Sequence, residues 1–301
     1  MSMSLKQIRY FLAAAEKGQV SLAASSLNVS QSTVTTALQQ LELELGVSLF
    51  RRLPSGVELT AQGSRFLAQA RNVMAAVSAA QRAPLTEDRA LRGVVRVCVT
   101  YTVAGYFLPP HYAHFARAYP DIRVELTELP RPQIEQGLKE GAFDLAVMLV
   151  SNLRDRENLA AEILFRSRRR LWLPVEHPLL SAESVTLEDV ARLPYVVLTV
   201  DEANETAARF WAPTGFSPNA IFVTSSVEAV RSMVADGLGV TVLSDMVYRR
   251  WSLEGQRIEQ RNVTTPVPTM DVGLAWRADT KLGAAARAFA DFLSLSVNGG
   301  A

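Results

Sequence analysis

Apolar positions in the first fifty residues predict three helices, one after another. The apolar face of the first helix recurs at helical spacing, at Leu5, Ile8, Leu12 and Ala15, and Gly18 is its expected end. A second helix is expected over LAASSL, with Ser21 as its cap. Asn28 suits the tight reversal that follows, because asparagine tolerates a left-handed backbone.

A third helix carries the most informative pattern. Ser30 is its expected cap, Gly46 its expected end, and its apolar stripe is Val34, Leu38, Leu41 and Leu45. Polar side chains lie off that stripe, on the first turns: Gln31, Ser32, Thr33, Thr35, Thr36 and Gln39. A helix-turn-helix places its base-reading side chains here, with the helix N-terminus open to phosphates. The alternative is an ordinary helical hairpin with a solvated polar face.

The segment after the third helix favours DNA binding over that alternative. VSLFRRLPSGVELTAQG contains two short apolar stretches around the turn LPSG, the pattern of a β-hairpin. Such a wing brings cations to the DNA backbone or minor groove. Arg51 and Arg52 therefore join Ser30 and the polar residues of the third helix as candidate DNA contacts, and Ser55 joins them from the turn.

A long helix is predicted from Thr60, its cap, to about Arg82, just before Pro84. Its apolar stripe is too long for so small a domain to cover, which predicts a partner helix from a second copy of the chain. The expected dimerisation contacts are Phe66, Leu67, Ala70, Val73, Met74 and Val77.

The rest of the chain alternates short apolar runs with amphipathic stretches, the pattern of an α/β fold. Strands are predicted at 94–100, 123–128, 145–150, 171–173, 196–199, 221–224, 240–244 and 270–276. Helices are predicted at 109–118, 132–140, 204–211, 227–236 and 282–295. Such alternation predicts parallel sheets with helices on both faces.

The residues from LKQIRYFL to LTAQG resemble the winged helix-turn-helix of LysR-type transcriptional regulators. The likeness continues through FLPPHYAHFARAYPDIRVEL, GLKEGAFDLAV, the HPL of residues 177–179 and VADGLGVTVLSD, in the family's order. It implies a winged helix-turn-helix over 1–60, a linker and dimerisation helix with a hinge over 61–92, and an effector-binding domain over 93–301. That domain is expected to hold two α/β subdomains of the periplasmic-binding-protein type (type 2), joined by two crossing strands. Their implied bounds are 93–165 with 268–301 for subdomain I, and 166–267 for subdomain II.

Three positions depart from the family pattern. Ser32 stands where proline is usual, Thr36 where a cation is common, and Leu22 where a polar or basic residue is usual. These changes leave the expected fold intact, and they bear on which operator sequence the protein reads.

Ligands of such folds bind at the carboxyl ends of strands and in clefts between subdomains. The residues at those places, which by resemblance line the family's effector cleft, are Thr100, Tyr101, Thr102, Arg131, Thr199, Val200, Ser225 and Ser226. Arg131 suits a carboxylate, which a guanidinium binds bidentately, so a small organic acid is the expected effector. Arg131 is equally compatible with a solvated loop between two prolines, and Thr100 and Thr102 with an ordinary strand end.

Composition and charge set bounds on the function. The 301-residue chain has a net charge of +1, so no global field favours nucleic acid or membrane. Nine Lys and Arg against six Asp and Glu in residues 1–90 permit a nucleic-acid role there without demonstrating it. The single cysteine, Cys98, lies in an apolar run and excludes an intramolecular disulfide framework. No signal peptide or membrane span is expected, which predicts a cytoplasmic protein.

Other chemistry is only weakly indicated. His111 and His114 share a helix face but have no accompanying cluster of cysteines or carboxylates, so packed or exposed helix residues are expected rather than a metal site. The run from Arg168 to Arg170 is expected at an interface or a solvated edge. No P-loop, dinucleotide fingerprint or nucleophile elbow appears. No catalytic residue, metal or cofactor is therefore predicted.

Two classes of function remain. The first is a DNA-binding transcriptional regulator, not an enzyme, whose activity a small-molecule effector modulates. Its expected partners are double-stranded DNA with a pseudo-palindromic operator, a second copy of the chain in a dimer or dimer of dimers, and RNA polymerase if it activates. The alternative is a cytoplasmic small-molecule binding protein or enzyme whose N-terminal helices serve only oligomerisation. The wing arginines and the polar face of the third helix favour the first class.

Overall fold

The computed structural model describes residues 3–53, 56–82 and 91–298. The chain forms two compact units. The first comprises Met1–Gly93, His111–Ile122 and Arg287–Ala301, and the second comprises Val94–Pro110 and Arg123–Ala286.

The described helices and strands follow the chain in a mixed α/β order. The helices are α1 (Leu5–Lys17), α2 (Val20–Ser26), α3 (Gln31–Leu45), α4 (Ala61–Arg82), α5 (Tyr101–Tyr106), α6 (Leu108–Ala118), α7 (Arg131–Lys139), α8 (Leu187–Ala191), α9 (Ala203–Trp211), α10 (Val227–Ala235) and α11 (Ala284–Asn298). The strands are β1 (Phe50–Leu53), β2 (Gly56–Leu59), β3 (Gly93–Val99), β4 (Ile122–Glu128), β5 (Leu145–Leu149), β6 (Leu159–Ser167), β7 (Arg169–Pro174), β8 (Pro194–Leu198), β9 (Asn219–Thr224), β10 (Thr241–Ser244), β11 (Ile258–Arg261) and β12 (Met270–Arg277).

The first three helices begin and end largely where the sequence signals predict. Ser4 opens α1 with a capping box: its hydroxyl accepts from the Gln7 amide, and the Gln7 side chain accepts from the Ser4 amide. Gly18 and Gly46 end α1 and α3 with left-handed backbones. Asn28 has the left-handed φ, 53°, expected at the reversal.

Three details of the helix prediction are wrong, one of them Leu5, which the helical period assigns to the apolar face of α1 but which is 44% exposed. α2 begins at Val20 with Gln19 at its N-cap, so Ser21 lies exposed inside the first turn instead of capping the helix. Val20 packs against the core of the unit, which extends the helix toward its N-terminus. Leu45 is 37% exposed, because the last turn of α3 extends beyond the buried cluster.

Helix α4 packs on the same core as the first three helices. The ring of Phe11 in α1, fully buried, lies 4.9 Å from the ring of Phe66 in α4 and 5.2 Å from that of Phe50 in β1. Ala70 is also buried in this core, so it serves packing within the chain. The other predicted dimerisation residues are half-buried: Phe66, Leu67, Val73, Met74 and Val77.

Helices α6 and α11 contribute an aromatic cluster to the first unit. Phe115 meets Phe289 edge to face, with ring centroids 4.9 Å apart. Nδ1 of His111 lies 2.8 Å from the Ser296 hydroxyl. Burial lowers the pKa of His111 to about 4, and the charge of Arg71 adds to the shift, so the imidazole is neutral near pH 7. His111 is thus a packed helix residue, as the sequence indicates.

The second unit is built on mixed sheets, which corrects the prediction of parallel ones. The larger sheet has the order β4-β3-β5-β12-β6, in which β12 is antiparallel to both β5 and β6. β7 is antiparallel to both its neighbours in the sheet β10-β7-β11, whereas β3 is parallel to β5 in the larger sheet and β8 is parallel to β9. The chain returns to the larger sheet as β12 and enters it from the opposite end, which the alternation of elements does not reveal.

Four elements escaped the prediction: β6, β11, α5 and α8. β6, at the edge of its sheet, has its apolar residues interrupted by Glu162 and Arg166, and β11 is the polar sequence IEQR, which shows no apolar run. Cys98 lies in the core beside β5, where burial raises the pKa of its thiol to about 12. None of the described helices combines the length and hydropathy that a bilayer span requires.

Candidate functional site

The N-terminal half of α3 presents its polar side chains to solvent. Ser30 caps the helix: its hydroxyl accepts from the Thr33 amide at 3.1 Å and also meets the Ser32 and Thr33 hydroxyls at 2.9 and 2.7 Å. Thr35 is half-buried, and the other six candidates on and before α3 are exposed: Ser30, Gln31, Ser32, Thr33, Thr36 and Gln39. The apolar stripe beneath them holds the helix in place, so this face is rigid as well as accessible.

Two shallow depressions flank α3 and divide these residues between them. Gln31, Thr35 and Gln39 line the depression on the wing side, together with Arg52. Ser32, Thr33 and Thr36 line the other, together with Lys6 of α1. Each side combines uncharged hydrogen-bonding groups with one cation and one glutamate, Glu44 beside Lys6 and Glu42 beside Arg52. The uncharged groups suit base edges, and the cations suit phosphates.

The two arginines of the wing differ in their partners. Arg51 pairs with Glu58 directly across the hairpin, at 2.5 Å between Nη2 and Oε2. Arg52 lies opposite Val57 and has no carboxylate partner among the described residues. Its charge is thus available to a phosphate, whereas that of Arg51 is already balanced. Ser55, also predicted to contact DNA, lies outside the described residues.

The wing is fixed to the helices at two points. Oε1 of Glu42, on α3, accepts from the amides of Leu49 and Phe50 at 2.6 and 3.0 Å. The Val57 amide donates to the carbonyl of Gly18 at 2.7 Å. A Cβ at Gly56 would lie 2.2 Å from that carbonyl oxygen, so the close approach requires glycine. These contacts set where Arg52 stands relative to α3.

The sequence interpretation missed residues that line the same two depressions. Lys6 and Gln40 lie beside Thr36, while Gln19 and Ser21 lie beside Gln31. The helical period assigns α1 and α2 a core face, but it does not show which side of their outer faces borders α3. Only the packing of the helices reveals that.

In the second unit, an acidic turn before α9 bonds to the start of α5 and to the residues that follow β5. Oδ2 of Asp201 accepts from the amide and hydroxyl of Thr102 at 2.8 and 2.5 Å. Nδ2 of Asn152 donates to the Asp201 carbonyl at 2.8 Å and lies 3.4 Å from the Glu202 carboxylate. Asp201 and Glu202 have left-handed φ values of 51° and 57°, unusual for residues with side chains. We call Thr102, Arg131, Asn152, Asp201 and Glu202 the acidic clasp.

Arg131 is part of this clasp, and one of the two readings of it from the sequence is wrong. It is buried at the start of α7, so it is not a solvated loop residue. Its Nη1 donates to Glu135 at 3.0 Å, and its Nε lies 3.3 Å from Glu202. Two carboxylates already balance the guanidinium, so a ligand carboxylate would have to compete with them for Arg131. Burial in turn raises the pKa of Glu202, although Arg131 opposes that shift.

The other predicted effector residues are spread over different environments. Thr102 and Val200 line an internal cavity, and Tyr101 lines a separate open groove. Thr100 is buried at the N-cap of α5, and Thr199 bonds the Thr224 carbonyl through its amide and hydroxyl. Ser226 caps α10 by accepting from the Ala229 amide, and Ser225 beside it is exposed. The structure therefore does not gather the eight residues around one cavity.

The cavity that Thr102 and Val200 line has a volume of about 330 Å³ and mainly apolar walls. It lies largely within subdomain II, and its walls include Tyr195, Val197, Phe210, Trp211, Val242 and Met270. The rings of Tyr195 and Trp211 meet edge to face at 5.9 Å. The size and lining are those of a site for a small molecule with an apolar body.

The arginine run at the start of β7 also differs from its expectation of an interface or solvated edge. Arg169 lines the cavity, and burial lowers its pKa to about 10. Arg170 pairs with Asp245 at 3.2 Å, and burial raises the pKa of that aspartate. Only Arg168 is exposed. No group of three or more metal-ligating side chains converges in the described parts of the chain.

Two family models match this chain, and together they span most of it. The bacterial regulatory helix-turn-helix protein model of the lysR family matches residues 5–64. The LysR substrate binding domain model matches residues 88–296.

Related proteins agree with these matches. The HTH-type transcriptional regulator AlsR of Bacillus subtilis is 28% identical over 84% of each chain. The uncharacterized regulator YwqM of the same species is 29% identical over 96% of this chain and 98% of its own. The crystal structure of HinK, a LysR family transcriptional regulator from Pseudomonas aeruginosa, is 27% identical over 98% of this chain and 99% of its own, with a TM-score of 0.64. The chain therefore belongs to the LysR family of transcriptional regulators, which join a DNA-binding helix-turn-helix to an effector-binding domain.

Proposed function

We propose that this regulator reads its operator through both sides of α3 and anchors itself with the wing. Gln31, Thr35 and Gln39 would contact bases on the wing side, and Ser32 and Thr36 on the side of α1. Arg52 would hold a phosphate or the minor groove. The observation that supports this is the exposed polar face of α3 beside an arginine without a carboxylate partner.

A two-fold dimer would present two such faces to a pseudo-palindromic operator. The apolar surface left for the partner is the half-buried part of the α4 stripe, of which Val77 lies outside the core cluster of the chain itself. Ala70 is omitted from this surface because it is already buried. A dimer of dimers would need a second, different contact, because the two α4 stripes of a dimer already cover each other.

The regulatory step we propose is a shift in the population of cleft conformations. A ligand that prefers one arrangement of the subdomains stabilises it, and only by the difference of its affinities for the two. The acidic clasp bridges those subdomains beside the cavity, so it is placed to respond. For an activator, RNA polymerase would be the next partner, and the protein would act in the cytoplasm, where the chromosome lies. No catalytic step or cofactor is involved.

Fluorescence anisotropy tests the DNA interface, with DNA from upstream of the protein's own gene measured over a series of salt concentrations. Arg52→Ala should weaken binding to all sequences alike and lower the magnitude of the salt slope by about one. Arg51→Ala is the matched control. Because removal of Arg51 also frees Glu58, the change in its salt slope should differ from the change seen with Arg52→Ala. Equal slopes for Arg52→Ala and the parent protein would remove the wing from the interface.

Sedimentation tests the assembly separately. Val77→Asp should shift the protein toward monomers with weak operator affinity, because a charge cannot be buried between two apolar stripes without a partner. A variant that stays dimeric and binds DNA normally would place the interface elsewhere.

A further inference from the structure

We infer that the internal cavity of subdomain II is a binding site for a small monocarboxylate with an apolar body, whose carboxylate pairs with Arg169. The inference rests on the proposed control by an effector and names the chemistry of that effector. It moves the anionic contact from Arg131, where the sequence suggested it, to a different residue on a different strand.

The walls of the cavity set the body of the ligand. Aromatic and aliphatic side chains from β8, α9 and β10 surround a space of about 330 Å³, at the lower end of ligand pockets. Tyr195, one of them, has its hydroxyl occupied, because it accepts from the Val242 amide at 2.9 Å. The cavity therefore favours burial of a compact apolar group, and it has few hydrogen-bonding groups for a sugar or a peptide.

Arg169 sets the charge of the ligand. Its Nη1 donates to the carbonyls of Pro268 and Thr269, the latter at 2.9 Å. Its Nε and Nη2 have no hydrogen bond to any described residue, and no carboxylate of the described chain pairs with it. Asp271 is an acid whose charge affects the pKa of Arg169, but its carboxylate is paired with Arg166 at 3.6 Å. These two free donors form one edge of the guanidinium fork, which is the edge that binds a carboxylate bidentately.

Burial makes this unpaired charge costly until an anion meets it. The pKa of Arg169 falls to about 10, chiefly because burial penalises the cation. Arg169 is half-buried, and such a cation without a carboxylate partner is stabilised when a ligand supplies the opposite charge. Arg131 differs because Glu135 and Glu202 already supply the opposite charge beside its guanidinium.

One charge, rather than two, follows from the rest of the lining. Arg169 is the only cation among the residues that line the cavity, and Asp201 is the only other charged residue there. A second carboxylate on the ligand would find no cation and would be repelled by Asp201. The ligand is therefore a monocarboxylate rather than a dicarboxylate.

Isothermal titration calorimetry on the full-length protein tests this without any mutation. The probes are 3-phenylpropanoate and hexanoate, each compared with its own amide, which keeps the shape and removes the charge. At least one carboxylate should bind, and about 10- to 100-fold more tightly than its amide. Equal affinities within each pair, or no saturable binding by either carboxylate at millimolar concentration, would overturn the inference.

Variants then locate the contact. Arg169→Met should abolish the preference for carboxylate over amide, whereas Arg168→Met, the adjacent exposed arginine, should leave it unchanged. Because Arg169 also holds two backbone carbonyls, Ala207→Leu provides a second test that keeps the arginine and fills the cavity. It should weaken carboxylate and amide alike, with thermal unfolding checking that each variant is folded. A preference that survives Arg169→Met, or disappears equally in Arg168→Met, places the anion elsewhere.

The same preparations are titrated with the upstream DNA. Operator binding by the parent protein without any binding of the carboxylates would overturn this inference and leave the proposed DNA-binding function standing. If the parent protein binds the carboxylates but does not bind the DNA, the result would support this inference and contradict the proposed DNA-binding function.

Discussion

The face of α3 and the cleft of the second unit use polar side chains in opposite ways. On α3, Ser32, Thr36 and Gln39 lie exposed to solvent on a helix that its apolar stripe holds rigid. In the cleft, Thr102 and Arg131 are buried and bonded to acidic residues of the clasp. The first region keeps its hydrogen-bonding groups available, and the second satisfies them internally.

The difference follows from the cost of taking polar groups out of water. A DNA-binding face is exposed to solvent, so its donors and acceptors are hydrogen-bonded to water when no DNA is bound. A cleft lies away from water, where a polar group without a partner costs free energy at all times. Polar residues near a cleft therefore tend to have structural partners. The chemistry of the ligand is inferred from Arg169, which has no carboxylate partner among the described residues.

The largest expected effect tests the structural role of Arg131. Arg131→Met should lower the free energy of unfolding by about 3–5 kcal/mol, because it leaves the buried Glu135 and Glu202 without their cation. Urea denaturation measures this. Arg154→Met, which breaks the exposed pair with Glu205, should cost no more than about 1 kcal/mol.

The contrasting result for Arg131 is equally clear. A variant with full stability that has lost affinity for the carboxylate probes would show that Arg131 binds the ligand after all. The distinction drawn between the two regions would then fail at its central residue.

Glu42→Ala probes the rigidity of the DNA-binding face. Removal of its carboxylate leaves the amides of Leu49 and Phe50 without an acceptor, which should cost about 3 kcal/mol of stability. Operator affinity should fall as well, because the wing is no longer fixed to α3. Glu44→Ala, an exposed acid on the same helix, is the control and should change stability little. If the two variants behave alike in denaturation and anisotropy, the wing does not depend on Glu42.

Gln39→Ala should act on DNA recognition without acting on the fold. The exposed side chain should contribute about 1–3 kcal/mol of discrimination at one base pair, seen as relaxed specificity there in a selection from random sequences. Leu43→Ala, an 82% exposed residue on the last turns of α3, should leave the selected sequence unchanged. An unaltered selection from Gln39→Ala would mean that this side of α3 does not read bases.

The smallest effect is the pH dependence of the clasp. Burial raises the pKa of Glu202 above 4.5, so the folded protein holds that proton more tightly than the unfolded chain does. The stability from this group is present below pH 4.5 and is lost as the pH rises through the raised pKa. As the pH rises through the raised pKa of Glu202, the unfolding free energy of the parent protein should therefore fall relative to that of Glu202→Gln. Glu205→Gln, an exposed acid of α9, should show no such trend, and a parallel trend in both variants would assign it to other groups.

Much of the fold was predictable because its signals are local. Caps, helix ends and the wing depend on residues within one turn of each other, as at Ser30, Gly46 and the LPSG turn. The antiparallel entry of β12 was not predictable, because nothing in MDVGLAWR records which end of the sheet it enters. The exposed polar residues of α3 followed the helical period, whereas Lys6 was missed because its place beside them depends on how α1 packs against α3.

The sequence by itself determined the class of protein, the course of the helix-turn-helix and the residues that α3 turns outward. Only the tertiary structure decided that Arg131 is neutralised and that Arg169 is left without an acid. The partners that settle such matters are remote in the chain: Thr102 and Asp201 are 99 residues apart, and Arg169 and Thr269 are 100 apart. Helical period and capping are properties of neighbouring residues, but the electrostatic state of a side chain depends on whichever groups folding brings beside it.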